Sequence, residues 1–334
     1  MNLTMIIIII LSVGVAFLLI YFIRNVIIPT WVRKSMNKLS KDNIYKTMRA
    51  AKTAIVRDPQ NAEAHYLLGK AYLADNREEQ AFREYRSASR LGIQGKNIPE
   101  TEFRETIAYL YGKFKEEEEA LKEYVLLIKS HPENPEYYFR AGKLFSGRSR
   151  EDLAEQYLHK AVELNPKEGI YHSELALNYY HSKRTKDAAV EFEAALQLDP
   201  ADGHALLYLG KIHKDAKDFD GAVPYLEKAS RDQEYKLRAL VELGSCYMSL
   251  RMIEKAVPEL ERAVNCIEKE DEPDSLYARY FLAMCYERKN EYANALAQWD
   301  RIYAQKKNFR DVNEKRTKYM NYRQESPETP AGKS

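Results

Sequence analysis

From residue 62 to residue 309 one pattern of side-chain sizes returns seven times, and this recurrence limits the fold more than any other feature of the chain. The clearest copy is residues 169–202, GIYHSELALNYYHSKRTKDAAVEFEAALQLDPAD. It reads as two short amphipathic helices joined by a turn and closed at Asp199-Pro200. Copies start at 62, 101, 135, 169, 203, 237 and 276, with a step of 34 that lengthens to 39 at the first and last intervals. The added residues fall near 94–97 and 270–274, where Gly, Pro and acidic residues predict loops. A helical hairpin this short cannot bury its apolar face alone, so the copies must stack.

Numbering each copy from 1, position 8 is Gly69, Ala108, Gly142, Ala176, Gly210, Gly244 and Ala283. Position 20 is Ala81, Ala120, Ala154, Ala188, Ala222, Ala256 and Ala295. Small residues at both places let the two helices of a pair approach closely, and a bulky one would overpack the contact at about 1–3 kcal/mol. Position 11 holds a ring in every copy (Tyr72, Tyr111, Phe145, Tyr179, His213, Tyr247, Tyr286), expected to fill space between neighbours. Pro132, Pro166 and Pro200 end three second helices, because proline cannot continue a helix and restricts the residue before it. Pro224 and Pro258 are expected in the first turn of their helices, where a missing N–H costs little. Asn134-Pro135 predicts an N-cap followed by proline at the first helical position.

Both ends of the series differ from its middle. Residues 44–61 read as a lone second helix, an N-terminal half-repeat, and residues 62–308 as seven full repeats. Residues 309–324 predict a capping helix with Phe309, Val312 and Tyr319 covering the last repeat, and 325–334 a disordered tail. Residues 5–23, MIIIIILSVGVAFLLIYFI, carry no charge. A helix of that length is about 28 Å long, close to the hydrocarbon thickness of a bilayer, so 1–24 is expected to be a transmembrane anchor with residues 3–23 in the membrane. A cleaved signal peptide fits less well: the n-region lacks a cation, the apolar run is long, and no small-x-small site follows. Residues 25–43 form a basic juxtamembrane linker. Between 24 and 53 there are eight cations against Asp42 alone, which predicts a cytoplasmic repeat domain with the N-terminus outside. A repeat domain translocated across the membrane is the alternative topology.

The remaining composition narrows the function. Net charge is +2 over 334 residues, too small to demand nucleic acid. Cys246, Cys266 and Cys285 form no CxxC pair and are expected to be small hydrophobes rather than a metal or disulfide framework. Seven histidines are scattered; His65 and His172 share position 4 and His213 takes the ring slot at 11, so packing accounts for them better than ligation. No Gly-rich phosphate loop, HExxH or nucleophile elbow occurs. An enzyme is not expected, and neither is a cofactor or a metal.

In sizes and spacing, residues 62–309 resemble the tetratricopeptide repeat family. The resemblance implies an all-α fold, a right-handed solenoid of helix pairs with a concave groove, and binding of protein or peptide partners without catalysis. In that family the groove is lined by first-helix positions 2, 5, 9, 12 and 13. Carried onto this sequence, those offsets make Tyr66, Lys70, Tyr109, Phe139, Lys143, Ser173, Leu177, Tyr180, Lys211, Lys214, Tyr280 and Met284 the candidate partner-binding residues. Packing between repeats is the competing role, for the aliphatic ones first and for the aromatic and lysine residues as well. The lining suits an extended or helical peptide with apolar anchors and acidic groups. The family's carboxylate clamp, Lys and Asn at positions 5 and 9 followed by Asn and then Lys and Arg, is absent. The order of anchor then repeats is similar to bacterial membrane-anchored tetratricopeptide proteins of the lipopolysaccharide assembly protein B type, without their C-terminal four-cysteine module. The expected function is a membrane-anchored scaffold or adaptor for the assembly or regulation of an envelope or membrane complex, with the bacterial inner membrane as the expected location; the alternative is a receptor for transport or targeting sequences.

Overall fold

The computed structural model describes residues 41–94 and 96–321. The expected anchor, the linker up to residue 40 and the tail lie outside them. Among the described residues there are sixteen helices and no strand, and no helix is long and apolar enough to cross a membrane. The chain divides into two compact units, one through Leu144 and one from Phe145. The first holds α1 (Lys41–Arg57), α2 (Ala62–Ala74), α3 (Glu78–Leu91), α4 (Glu100–Lys113), α5 (Glu117–Ser130) and most of α6 (Pro135–Gly147). The second holds α7 (Glu151–Leu164), α8 (Gly169–His181), α9 (Thr185–Leu198), α10 (Gly203–Asp215), α11 (Phe219–Ala229), α12 (Lys236–Ser249), α13 (Ile253–Asn265), α14 (Pro273–Arg288), α15 (Tyr292–Gln305) and α16 (Val312–Tyr319). From α7 to α16 each helix packs on the next, and the first helices α8, α10, α12 and α14 also touch in sequence, forming one wall.

Helix starts match the repeat starts at 62, 135, 169 and 203 and lie within three residues elsewhere. The second insertion departs from the expected loop. Pro273 and Asp274 lie inside α14, because Pro273 occupies its first turn, where a proline's fixed φ favours the helix. The half-repeat likewise begins earlier than expected, at Lys41.

Close approach within each pair is built from positions 8, 20 and 24. All seven position-20 alanines are 0 % exposed. A Cβ on Gly69 would lie 2.7 Å from the Tyr85 ring, on Gly210 2.6 Å from Leu226, and on Gly244 2.5 Å from Leu260. Tyr85, Leu226 and Leu260 all stand at position 24, so the missing Cβ is the socket for that side chain. Position-11 rings lean on the preceding repeat: Tyr111 meets Phe82 edge-on at 5.5 Å, Tyr247 donates to Glu227 at 3.0 Å, and Tyr286 donates to Glu261 at 2.6 Å.

The turn between helices has one geometry throughout. Position 15 is left-handed in every repeat, with φ from 53° at Ser149 to 63° at Lys183 and Lys217. The N–H of position 16 reaches the carbonyl of position 11, as Arg184 to Tyr179 at 2.9 Å, and that of position 15 reaches position 12, as Lys183 to Tyr180 at 3.1 Å. This is the Schellman closure, which satisfies the last carbonyls of the first helix. A second recurring tie joins position 4 to position 23: His65 to Glu84 at 2.6 Å, Arg104 to Glu123 at 2.7 Å, His172 to Glu191 at 2.7 Å and Arg279 to Gln298 at 2.8 Å.

Two expectations on proline need correction. Pro224 and Pro258 are the sixth residues of α11 and α13, not first-turn residues. Each removes the N–H that would reach the carbonyl four residues back, at Asp220 and Glu254. Both prolines and both acceptor residues are exposed, so water can satisfy the released carbonyls. Asn134 behaves as expected, its Oδ1 accepting from the Glu136 N–H at 3.1 Å. At the C-terminal end Phe309, Val312 and Tyr319 are buried against Trp299 and Ile302, under a helix shorter than the one expected. Cys246 and Cys285 are fully buried free thiols. Burial pushes the Cys246 thiol up to about 12 and the Cys285 thiol up to about 11, which makes both poor nucleophiles.

Candidate partner-binding surface

The offsets that nominate groove residues place them on first helices in both units, and the structure sorts them by what they touch. In the first unit, Tyr66 is 4 % exposed; its ring meets Tyr85 edge-on and its hydroxyl donates to Glu102 Oε1 at 3.3 Å. Lys70 Nζ donates to the same oxygen at 2.6 Å. Burial, then the Glu102 charge, raises the Tyr66 phenol well above its ordinary range, so it stays a donor. Tyr66, Lys70 and Glu102 therefore tie one repeat to the next. Phe139 is 3 % exposed beneath the Lys143 ammonium, 5.4 Å from the ring centroid, and Lys143 itself is exposed. Tyr109 is half-buried.

In the second unit, Ser173 is buried with its hydroxyl 3.0 Å from His204 Nδ1, and Leu177 is half-buried beside it. Lys214 is paired with Glu242 of the next first helix. Tyr280 is buried against Trp299 and donates to Asp311 at 2.8 Å; Met284 packs against the same terminal cluster. Tyr66, Phe139, Ser173 and Tyr280 thus have little surface left to offer a partner, and Lys70 and Lys214 already hold acids.

In the second unit an open cluster gathers on α10 and the neighbouring α8. His204, Tyr208, Lys211 and Asp215 recur at i, i+4, i+7 and i+11, so one helix face carries all four. Tyr180 from α8 joins them, donating to Asp215 Oδ2 at 3.0 Å with its ring 5.2 Å from Tyr208. Phe192 stacks beneath Tyr208 at 5.6 Å, and His204 lies between Tyr208 and Tyr235 at 4.9 and 5.6 Å. Burial, then the Asp215 charge, raises the Tyr180 phenol, so this hydroxyl also stays protonated. Lys211 Nζ stands over two rings, 5.1 Å from the centroid of Tyr208 and 5.8 Å from that of Tyr180. Among the described residues no carboxylate lies within ion-pair distance of Lys211. Aromatic faces hold the ammonium in place while its N–H donors remain available for an acceptor.

Lys211 and Tyr180 were nominated by sequence. His204 and Asp215, at positions 2 and 13, follow from the same offset rule. Tyr208, at position 6, and Tyr235, in the loop before α12, do not. Among the described residues no group of three or more His, Cys, Asp or Glu is arranged to hold a metal ion.

Models of the tetratricopeptide repeat match residues 50–83, then 139–203, 173–235 and 265–310, and 237–266. Together these ranges cover more than half of the 334 residues. No curated protein matches the chain. Among solved structures, the chain is similar to one in the APC/C hetero-tetramer Cut9–Hcn1, with a TM-score of 0.58 and 13 % identity over 83 % of this chain. It spans about half, 52 %, of that chain. A tetratricopeptide repeat protein from Parabacteroides merdae ATCC 43184 gives 0.56 and 13 % identity, covering 78 % of this chain and 100 % of that one. Yeast Tom70 gives 0.50 and 16 %, covering 84 % and 58 %. At these identities the likeness is one of fold.

Proposed function

The chain belongs to the tetratricopeptide repeat family, a family of protein-interaction scaffolds, and on that premise we propose that it is a membrane-anchored scaffold holding a peptide segment of a partner on the α8–α10 face. The observation that carries the binding reading is Lys211, a cation without a carboxylate partner among the described residues, set on the Tyr180 and Tyr208 rings. An acidic side chain or terminal carboxylate would complete its coordination, and the rings would take an apolar or aromatic neighbour in the same segment. Lys143 over Phe139 offers the first unit a similar cation-on-ring element.

Pull-down with the full chain, wild type against Lys143→Glu plus Lys211→Glu, tests this. Loss of partners that is mimicked by raised salt supports the surface; an unchanged partner set rejects it. The anchor reading rests on the 19 uncharged residues 5–23 and the cations that follow. Protease added outside intact cells or spheroplasts should leave the repeats whole, and digestion from outside would reject the cytoplasmic topology.

A further inference from the structure

We propose that the outward face of α1 is a docking surface for an anionic lipid bilayer. Tyr45, Arg49, Lys52 and Val56 follow at i, i+4, i+7 and i+11, so they form one line along the helix. Ile44, Met48 and Ala51 are buried on the adjoining face, about a quarter turn round the helix. Tyr45 is 67 % exposed and Val56 83 % exposed, so the line carries apolar tips that no described residue covers. A groove of about 600 Å³ runs beside it, reached also by Arg57 and by Arg77 from the turn between α2 and α3. Four cations and no acid line this groove, Arg77 being paired with Asp75 at 3.7 Å behind it.

Charge and position select the occupant. Nine cations and one acid lie between residues 24 and 57, so the basic character of the groove continues the basic linker. The proposal rests on reading residues 5–23 as a membrane anchor. From there, 17 residues separate the anchor from α1, a reach of at most about 60 Å, so a bilayer is held at high local concentration near this face. Clustered Lys and Arg beside a span recognise anionic headgroups, and a tyrosine and a valine between them can enter the headgroup boundary. An acidic protein would satisfy the cations but has no comparable tether.

The test uses the full chain in bilayers of phosphatidylcholine alone and of phosphatidylcholine with phosphatidylglycerol, following amide exchange across 44–57. Exchange should be at least about fivefold slower with the anionic lipid, with the difference removed by 0.5 M salt and by Arg49→Glu plus Arg57→Glu. Arg49 and Arg57 are exposed, so the variant should fold, which unchanged exchange in the second unit would verify. Equal exchange in both lipids would overturn the proposal, whether the face is bare or covered by the chain's own N-terminal residues, a second copy or an acidic protein. Carbonate extraction tests the anchor separately. If carbonate strips the chain, the anchor reading fails, and flotation with phosphatidylglycerol vesicles decides the α1 surface: flotation lost in the variant upholds it, and no flotation overturns it.

Discussion

Asn178 is 2 % exposed at position 10, where other repeats carry Ala71, Leu110, Leu144, Ile212, Cys246 and Cys285. Neither its amide oxygen nor its amide nitrogen has a hydrogen-bond partner. A buried amide left unpaired costs about 1–3 kcal/mol, so Asn178→Cys, which is close to asparagine in volume and is the residue two other repeats carry here, should raise stability by about that amount in a denaturant titration. The left-handed turn residues make a second residue-scale case. Lys217 holds φ at 63°, a region that only glycine enters without steric penalty. Lys217→Gly should therefore stabilise by about 1 kcal/mol, despite the extra freedom gained by the unfolded chain, and a lower denaturation midpoint would contradict this. The two sites show what a sequence displays at this scale. The small residues at positions 8 and 20 were legible because size recurs there. The left-handed conformation at position 15 was not, because Asn, Lys, Ser and Arg fill it and none of the seven is glycine. The tie between positions 4 and 23 was hidden for a related reason: its chemistry changes from His–Glu to Arg–Glu to Arg–Gln while its geometry stays.

At the scale of elements, α16 is held to α14 by one carboxylate. Glu287 accepts from Lys315 Nζ at 2.6 Å and from the Tyr319 hydroxyl at 2.5 Å, with Lys318 at 3.8 Å. Burial opposes its charge, but Lys315, Tyr319 and Lys318 outweigh burial and hold the carboxyl below its usual range. A carboxyl whose folded value is depressed contributes stability that is complete above its unfolded value, about 4.3, and lost as pH falls through the lowered folded value. Amide exchange in α16 should accelerate selectively below about pH 4. Glu287→Gln should show the faster exchange already at pH 7 and lose the acid dependence. The capping role of this segment was legible in Phe309, Val312 and Tyr319, which are apolar at helical spacing. Glu287 was not, since an acid at position 12 of a repeat looks like groove lining until α16 is folded onto it. The candidate lysines divide similarly. Lys70 and Lys211 share position 9, yet one meets Glu102 and the other finds aromatic faces, a difference set by the neighbouring repeat.

For the whole molecule, the pattern of neighbours determines how far a local change spreads. From α8 to α15 each helix packs mainly on the helices before and after it, with the first-helix wall as the added connection. Stability in such a series is close to a sum of repeat and nearest-neighbour contributions. Gly244→Ala provides a measured disturbance. The new methyl would gain about 1 kcal/mol of helix propensity, but it would lie 2.5 Å from Leu260, which is 0 % exposed and has nowhere to move. Overpacking of about 1–3 kcal/mol should therefore prevail. Amide exchange should quicken in α12 and α13, less in α11 and α14, and stay unchanged in residues 62–144, which belong to the other compact unit. Denaturation should then resolve into more than one step, the step assigned to the second unit moving to lower denaturant while the other keeps its midpoint. A single transition that shifts as a whole would mean that the chain unfolds as one cooperative body, and the additive account would fail.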